Sequence, residues 1–323
     1  MKKIALLTSG GDSPGMNAAV RAIVKSCLHQ GIQPLGIYDG YQGMIEGRGE
    51  VLSYSDVDNI IHFGGTVLGS ARCEEFRTKE GRQKAIDYLK VEGVEGLIVI
   101  GGDGTYTGAT LLGKEMHIPI IGLPGTIDND IFGTDYTIGF DTALNTVIDA
   151  VDKIRDTAGS HHRVFFVEVM GRDAGFIALY SAIASGAESV LIPEEKTDLV
   201  KLSDDIRNNF KGRRSTIIMV AEGDDEGHAL DIMNKVRPSL EGYDLRHVVL
   251  GHIQRGGSPS VHDRVLATRL GNRAVQLLTE GTSNIALGVR GQEIVTCPIE
   301  MAIKEHATPD LNLLQLIEEV RTK

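Results

Sequence analysis

Residues 117–130 read His-Ile-Pro-Ile-Ile-Gly-Leu-Pro-Gly-Thr-Ile-Asp-Asn-Asp. The apolar run His117–Ile121 predicts a short buried strand that ends where polar residues begin. Pro124-Gly125 then punctuates the backbone, so Gly122–Asp130 is expected to be a loop at a strand's carboxyl end. In open α/β sheets ligands bind at that end. Two carboxylates at Asp128 and Asp130 cannot both face apolar core without a large desolvation cost. A lone D-N-D would read as a solvated Asx turn. After a buried strand and beside glycine-rich loops, it points to a site in which one Asp is a base and the other orients it or faces a metal.

Working outward, the same grammar recurs. Lys2–Ser9 is a strand candidate followed by Gly10-Gly11-Asp12-Ser13-Pro14-Gly15 and a helix over Asn17–His29. Strand, glycine loop and helix point backbone N–H groups at a phosphate. The spacing is neither G-x-G-x-x-G nor a Walker loop, so it supports neither a dinucleotide fingerprint nor a P-loop. Gly96–Ile100 is a buried strand that runs into Gly101-Gly102-Asp103-Gly104-Thr105. There, glycines let a polyphosphate approach the backbone while Asp103 meets its Mg²⁺. Asp39–Gly49 and Gly64–Ser70 read as further glycine-rich loops, the latter leading into Arg72-Cys73-Glu74-Glu75-Phe76-Arg77 near a bound anion. Helices are expected over Asp56–Phe63, Thr78–Lys90 and Tyr106–Met116, and from Asp141 to about Asp156. Val164–Val169 leads to Met170-Gly171-Arg172, an anion clamp at a strand end. Glu222 closes the strand Ser215–Ala221, where it either accepts sugar hydroxyl bonds or is solvated. Gly251-His252-Ile-Gln-Arg255-Gly-Gly suits a phosphomonoester.

The chain has 323 residues, 41% hydrophobic and 24% charged, which fits a globular protein of about two domains. No run reaches the roughly 18 apolar residues of a membrane span. Met1–Thr8 is too short an apolar stretch for a signal peptide. Three cysteines, Cys27, Cys73 and Cys297, argue against a disulfide framework and a zinc site, and the cytoplasm is the default location. A net charge of −11 disfavours nucleic acid as a partner. Against that sign, Arg72 with Arg77, His161-His162-Arg163, Arg213-Arg214 and His252 with Arg255 stand out; surface arginines mostly serve solubility, but those adjoining glycine-rich loops read as anion contacts. The β-loop-α alternation calls for mostly parallel sheets covered on both faces, without repeats or Pro/Ser-rich linkers.

With these residues in view, the chain resembles the bacterial ATP-dependent 6-phosphofructokinases along nearly its whole length. T-S-G-G-D-S-P-G-M-N-A (Thr8–Ala18), I-G-G-D-G-T (Ile100–Thr105), P-G-T-I-D-N-D (Pro124–Asp130), E-V-M-G-R (Glu168–Arg172) and G-H-I-Q-R-G-G-S-P (Gly251–Pro259) occur in that family's order. The resemblance implies two three-layer α/β domains: 1–139 plus 252–306 for ATP, and 140–251 plus 307–323 for the sugar phosphate. It implies transfer of the γ-phosphoryl group of ATP to the 1-hydroxyl of fructose 6-phosphate. Asp128 would be the base, supported by Asp130, while Thr126 and Arg172 steady the transferring group. Asp103 would face Mg²⁺, and Gly11, Arg72, Cys73, Gly102, Gly104 and Thr105 would line the ATP site. Arg163, Met170, Gly171, Arg172, Glu222, Arg246, His252 and Arg255 would bind the sugar phosphate. In the family Arg163 and Arg246 reach a neighbouring subunit's site, which implies a homotetramer. ADP or phosphoenolpyruvate would act at Arg21, Lys25, Arg155, Gly186, Glu188, Lys211 and Arg213. Lys25, Tyr54 and Asn59 depart from the family's Arg, basic residue and Asp.

Three rivals share parts of this pattern. Diphosphate-dependent members of the family carry Asp and Lys where this chain has Gly104 and Gly125, side chains that would crowd an α-phosphate. An NAD kinase-like enzyme shares G-G-D-G-T but gives no reason for the I-D-N-D and H-I-Q-R-G-G loops. A nucleotide sensor without catalysis would need no base, which Asp128 with Asp103 and Arg172 supplies.

Overall fold

The computed structural model describes residues 1–161, 163–210 and 215–320, so His162, Lys211, Arg213 and Arg214 lie outside the described residues. In chain order the elements begin with β1 (Lys3–Thr8), α1 (Met16–His29), β2 (Gln33–Ile37), α2 (Gly40–Glu46), β3 (Gly49–Val51) and α3 (Tyr54–Val57). Then come α4 (Lys79–Val91), β4 (Gly96–Gly101), α5 (Asp103–Met116), β5 (Ile120–Thr126), β6 (Ile138–Gly139) and α6 (Phe140–His161). The middle holds β7 (Val164–Val169), α7 (Phe176–Ser185), β8 (Ser189–Leu191), α8 (Leu199–Asp204), β9 (Thr216–Ala221), α9 (Ala229–Val236) and β10 (Leu245–Val249). The chain finishes with α10 (Val261–Thr279), β11 (Ile285–Arg290), β12 (Glu293–Pro298), α11 (Ile299–Lys304) and α12 (Asn312–Val320).

The chain divides into two compact units. One comprises Met1–Ile127, Ile131–Thr142 and Arg255–Ala307, the other Asp128–Asp130, Ala143–Gln254 and Thr308–Lys323. His252 thus packs with the second unit and Arg255 with the first.

The first unit holds an eight-stranded sheet of order β12-β11-β5-β4-β1-β2-β3, with β6 joined to β5. Its inner strands β1, β4 and β5 are buried on both faces, since successive side chains point to opposite sides and both are covered. Ile98 and Ile100 of β4 join Ile4 and Leu6 of β1 against α1 and α10. Leu97 and Val99 join Ala5 and Leu7 against α4 and α5. Burying each of these Ile, Leu and Val side chains is worth about 1.5–3 kcal/mol. The second unit holds the parallel sheet β10-β7-β9-β8. Val164, Phe166, Ile218 and Val220 pack there with Ile206, Ile232 and Val236.

Four readings of the sequence are corrected. β5 continues through Gly122-Leu-Pro-Gly125 to Thr126 instead of stopping at Ile121. β11 pairs with β5 only at Ile121 and Gly122, and β6 joins it at Gly125, so Pro124 falls between two partners and costs that edge no ladder bond. His117 is not in the strand; it ends α5 in the left-handed conformation, φ 60°. The 39–49 glycines form α2 instead of a loop, because a Cβ at Gly43 would lie 1.7 Å from the Tyr38 carbonyl, a close approach only glycine permits. The 56–63 helix is reduced to the single turn α3.

Candidate functional site

In the first unit β1 lies between β2 and β4, so the chain leaves β1 on one side and later returns on the other. At such a reversal the loops at the carboxyl ends of adjacent strands diverge and open a crevice. Here these are the Ser9–Gly15 loop and the tight β4–α5 junction at Gly101–Thr105, where α5 starts at Asp103 and not, as expected, at Tyr106. They are tied together, since the buried Thr105 hydroxyl donates to the Ser9 carbonyl at 3.1 Å and Ser9 N–H to the Ile100 carbonyl at 3.1 Å. Thr105, expected to line the ATP site, thus also serves as the link between the two loops.

α5 begins at Asp103 after Gly102, which supplies no side-chain cap. The first-turn N–H groups therefore form a positive end suited to an anion. A Cβ at Gly102 or Gly104 would meet nothing within 4 Å, which leaves open space along that end. Asp103 is half-buried in this first turn. Among the described residues no group of three or more His, Cys, Asp or Glu is placed to hold an ion. Mg²⁺ needs no such cage, because it takes one or two carboxylates with waters and substrate phosphates, so Asp103 fits it.

The Gly64–Cys73 segment is fastened beside the first loop. Asn17, 1% exposed, donates to the Phe63 and Gly64 carbonyls and accepts from Val67 N–H at 2.7 Å. The Ser70 hydroxyl donates to the Gly10 carbonyl at 2.6 Å. Arg72 is exposed and Cys73 half-buried. A Cβ at Gly11 would lie 2.9 Å from Arg255 Nη1, so Arg255, expected at the sugar phosphate, has its guanidinium against the first glycine loop.

Thr126 ends β5, and its carbonyl accepts from the Thr137 hydroxyl at 2.7 Å. β6 pairs Ile138 with Gly125 and Gly139 with Thr126. That bridge is held by Asp263 of α10, which is fully buried. Its carboxylate accepts from Gly139 N–H at 2.9 Å, Thr142 N–H at 2.8 Å and the Thr142 hydroxyl. Burial pushes the Asp263 carboxyl up, and these donors pull it part of the way back.

In the second unit Asp128 is 5% exposed and Asn129 3%, the latter at φ 57°. Asp130 is half-buried. Asn tolerates the left-handed region; Arg172, at φ 53°, does so at a cost of about 1–2 kcal/mol. Glu222 Oε1 accepts from Arg172 N–H at 2.8 Å and Gly171 N–H at 3.3 Å. Met170 N–H donates to Gln254 at 3.3 Å. Glu222 is therefore neither simply solvated nor only a ligand candidate; one oxygen serves the backbone of the Met170–Arg172 turn.

Arg163 and Arg246, at the starts of β7 and β10, meet around Asp244. Arg163 Nε lies 2.7 Å from Asp244 Oδ2, and Arg246 Nε 2.9 Å from Oδ1. The Arg163 guanidinium, with Arg246 beyond it, holds the Asp244 carboxyl below the usual carboxylate range. His252 is exposed in the helical turn Gly251–Arg255. Arg155 donates to the Ser185 and Gly186 carbonyls, each at 3.0 Å, and lies 3.6 Å from Glu188. Arg21 and Lys25 belong to the first unit, where Lys25 Nζ pairs with Asp58 at 2.6 Å and sits 5.8 Å from the Tyr54 ring centroid.

Sequence reasoning passed over Asp244, Gln254 and Asp263. Asp263 carried one local signal, the spacing Ser260-x-x-Asp263 of a helix start, and Asp263 N–H does donate to Ser260 Oγ at 3.2 Å. Its reach to α6 depends on the packing of a distant helix, which no spacing reveals.

A family model described as phosphofructokinase matches residues 3–278. ATP-dependent 6-phosphofructokinase 2 of Bacteroides thetaiotaomicron is 51% identical over 321 residues, covering 99% of this chain and 98% of that protein. The ATP-dependent 6-phosphofructokinase of Bacillus pumilus is 54% identical over 321 residues, 99% of each. Among solved structures, phosphofructokinase from Saccharomyces cerevisiae superposes with TM-score 0.89 at 40% identity, covering 94% of this chain and 45% of that one. A pyrophosphate-dependent phosphofructokinase from Marinobacter aquaeolei has TM-score 0.84 at 20% identity over 98% of this chain and 91% of that one, a likeness of fold alone.

Proposed function

Since the chain belongs to the phosphofructokinase family, we propose that it is an ATP-dependent 6-phosphofructokinase, which moves the γ-phosphoryl group of ATP to O1 of fructose 6-phosphate. The observation that carries the choice of donor is the uncapped start of α5, where Gly102 and Gly104 leave space clear of protein atoms. A nucleoside triphosphate lies along that end with its phosphates on first-turn N–H groups. Gly11, Arg72, Cys73 and Thr105 complete this side. Asp103 is the carboxylate that would hold Mg²⁺, which when bound neutralises charge on the β- and γ-phosphates.

Asp128 takes the proton from the sugar hydroxyl, and Asp130 holds it in orientation. Burial strengthens such a base by excluding water from its hydrogen bond. Thr126 and Arg172 meet the equatorial oxygens of the transferring group, where charge is spread in the transition state. Arg163, Arg246, His252 and Arg255 hold the 6-phosphate, with Met170, Gly171 and Glu222 along the sugar. A homotetramer in the cytoplasm, with ADP or phosphoenolpyruvate as effectors, completes this reading.

The diphosphate-dependent alternative loses one of the two glycines first set against it. A Cβ at Gly125 would lie 2.9 Å from Ile100 Cγ2 and 3.0 Å from Met16 Cε, so core packing alone accounts for that glycine. Gly104, in open space, still favours ATP. A coupled assay of fructose 1,6-bisphosphate formation with ATP or diphosphate as donor decides. Turnover with ATP and none with diphosphate is expected; the reverse would overturn the proposal.

A further inference from the structure

Arg172 sits in a backbone conformation that arginine rarely adopts, and two consecutive residues grip it there. Its N–H and that of Gly171 donate to one oxygen of Glu222, at 2.8 and 3.3 Å. Its carbonyl occupies the place a side chain would take at the next residue, since a Cβ at Gly223 would lie 2.1 Å from Arg172 O. Gly171, at φ 143°, leaves no room for a side chain either, because its Cβ would lie 2.4 Å from the Ala174 carbonyl. The ends of the turn are braced as well. Gln254, fully buried, accepts from Met170 N–H and donates to the Gly251 carbonyl at 3.0 Å. Glu194 accepts from Gly175 N–H at 2.8 Å, at the start of α7. Among the described residues Arg172 forms no ion pair. The carboxylate of Glu222 therefore takes the backbone and leaves the guanidinium its charge for phosphate oxygens.

We propose that Glu222 and Gly223 are positioning residues: they hold the Arg172 turn so that its side chain is aimed at the phosphoryl group in flight, with Gln254 and Glu194 bracing the turn. This rests on the phosphofructokinase reading and gives Glu222 a task separate from any sugar contact. A group that acts through Arg172 in the transition state affects kcat and leaves sugar binding alone.

The test is a double-mutant cycle in the ATP-coupled assay, with thermal melting of every variant as a check on folding. Gly223→Ala touches no substrate and is expected to lower kcat at least ~10-fold with KM for fructose 6-phosphate within about twofold. Glu222→Gln keeps an acceptor oxygen for both N–H groups and is expected to retain more of kcat than Glu222→Ala, which has none. The decisive comparison is Arg172→Ala with and without Gly223→Ala. If Gly223 acts through Arg172, the second change adds nothing to the first. Additive losses, an unchanged kcat in Gly223→Ala, or a loss confined to KM would overturn the proposal. Should Gly223→Ala not fold, Glu222→Ala takes its place in the cycle with the same outcomes read in kcat. An unmodified enzyme without activity would overturn the functional reading and this proposal together, whereas an active one with additive losses overturns this proposal alone.

Discussion

At the scale of single residues, Asp128 and Gly104 carry the reading most directly. Asp128 is buried just beyond β5. Asp128→Asn keeps the shape and removes the base, so kcat is expected to fall by at least ~10² with little change in KM. Steady-state kinetics check this; full activity would hand the proton to Asp130 or to water. Gly104→Asp adds a carboxylate at the second residue of α5, where a Cβ would meet no neighbouring side chain or distant backbone within 4 Å. Because α5 accepts Asp there, folding is expected to survive while ATP use falls at least ~10-fold, the loss of about one charge-assisted contact. Unchanged ATP kinetics with unchanged melting would remove this end of α5 from the donor site. The same experiment at Gly125 would test only packing, since Ile100 and Met16 already fill that space. Sequence could mark both glycines, because missing side chains are visible in it, but could not tell a glycine kept for a ligand from one kept for a neighbouring methyl group.

At the scale of elements, legibility followed how local the cause was. The strand Gly96–Gly101 and the helix capped by Thr78 depend on runs and caps within a few residues, and both appear. The end of β5 does not depend on local residues. Pro124 reads as a breaker until β11 and β6 are seen to leave a gap beside it. β6 itself is two residues long and has no pattern to read. Its fixing point, Asp263, gives the next prediction. Asp263→Ala leaves the buried N–H groups of Gly139 and Thr142 without an acceptor, at about 1–3 kcal/mol each, so the melting temperature is expected to drop by several degrees. The pH dependence has a definite sign. Burial raises the folded-state pKa of Asp263 above its unfolded value. Its contribution is therefore fully present below the unfolded carboxyl value of about 3.9 and is lost as pH rises through the raised folded value. Compared with Asp263→Asn, which mimics the protonated acid, the unmodified protein is expected to be relatively most stable at the acid end. A relative stability that grew with pH over this range would reverse the assignment.

At the scale of the whole molecule, sequence conveyed the α/β class and two domains' worth of core. Residue-by-residue reading could not locate the return of the chain, which the family resemblance alone put at 252 and the structure has at Arg255, because nothing in Gly251–Pro259 marks a change of unit. That split matters for regulation, since the family's effector positions are divided between the units: Arg21 and Lys25 in the first, Arg155, Gly186 and Glu188 in the second. Two of the described cations among them, Lys25 and Arg155, are already engaged. Lys25 is paired with Asp58 and lies over Tyr54, and Arg155 is bound to the Ser185 and Gly186 carbonyls. Lys25 also lacks the bidentate fork that Arg would offer a phosphate, and Tyr54 brings no charge. Losing one charge-assisted contact costs about 1.5–3 kcal/mol, or roughly 10- to 150-fold in affinity. An exposed pair such as Lys25–Asp58 adds at most about 1 kcal/mol to the cost of freeing the lysine. The missing charge at Tyr54 therefore outweighs the competing pair. Fructose 6-phosphate saturation curves are expected to move only slightly with millimolar ADP or phosphoenolpyruvate. Tyr54→Arg, at a half-exposed position, is expected to tighten the response by about 10-fold or more, the return of one such contact, whereas Asp58→Asn should change it by less than about fivefold. A strong shift of the unmodified enzyme at micromolar effector would show that another cation already does the work assigned to position 54.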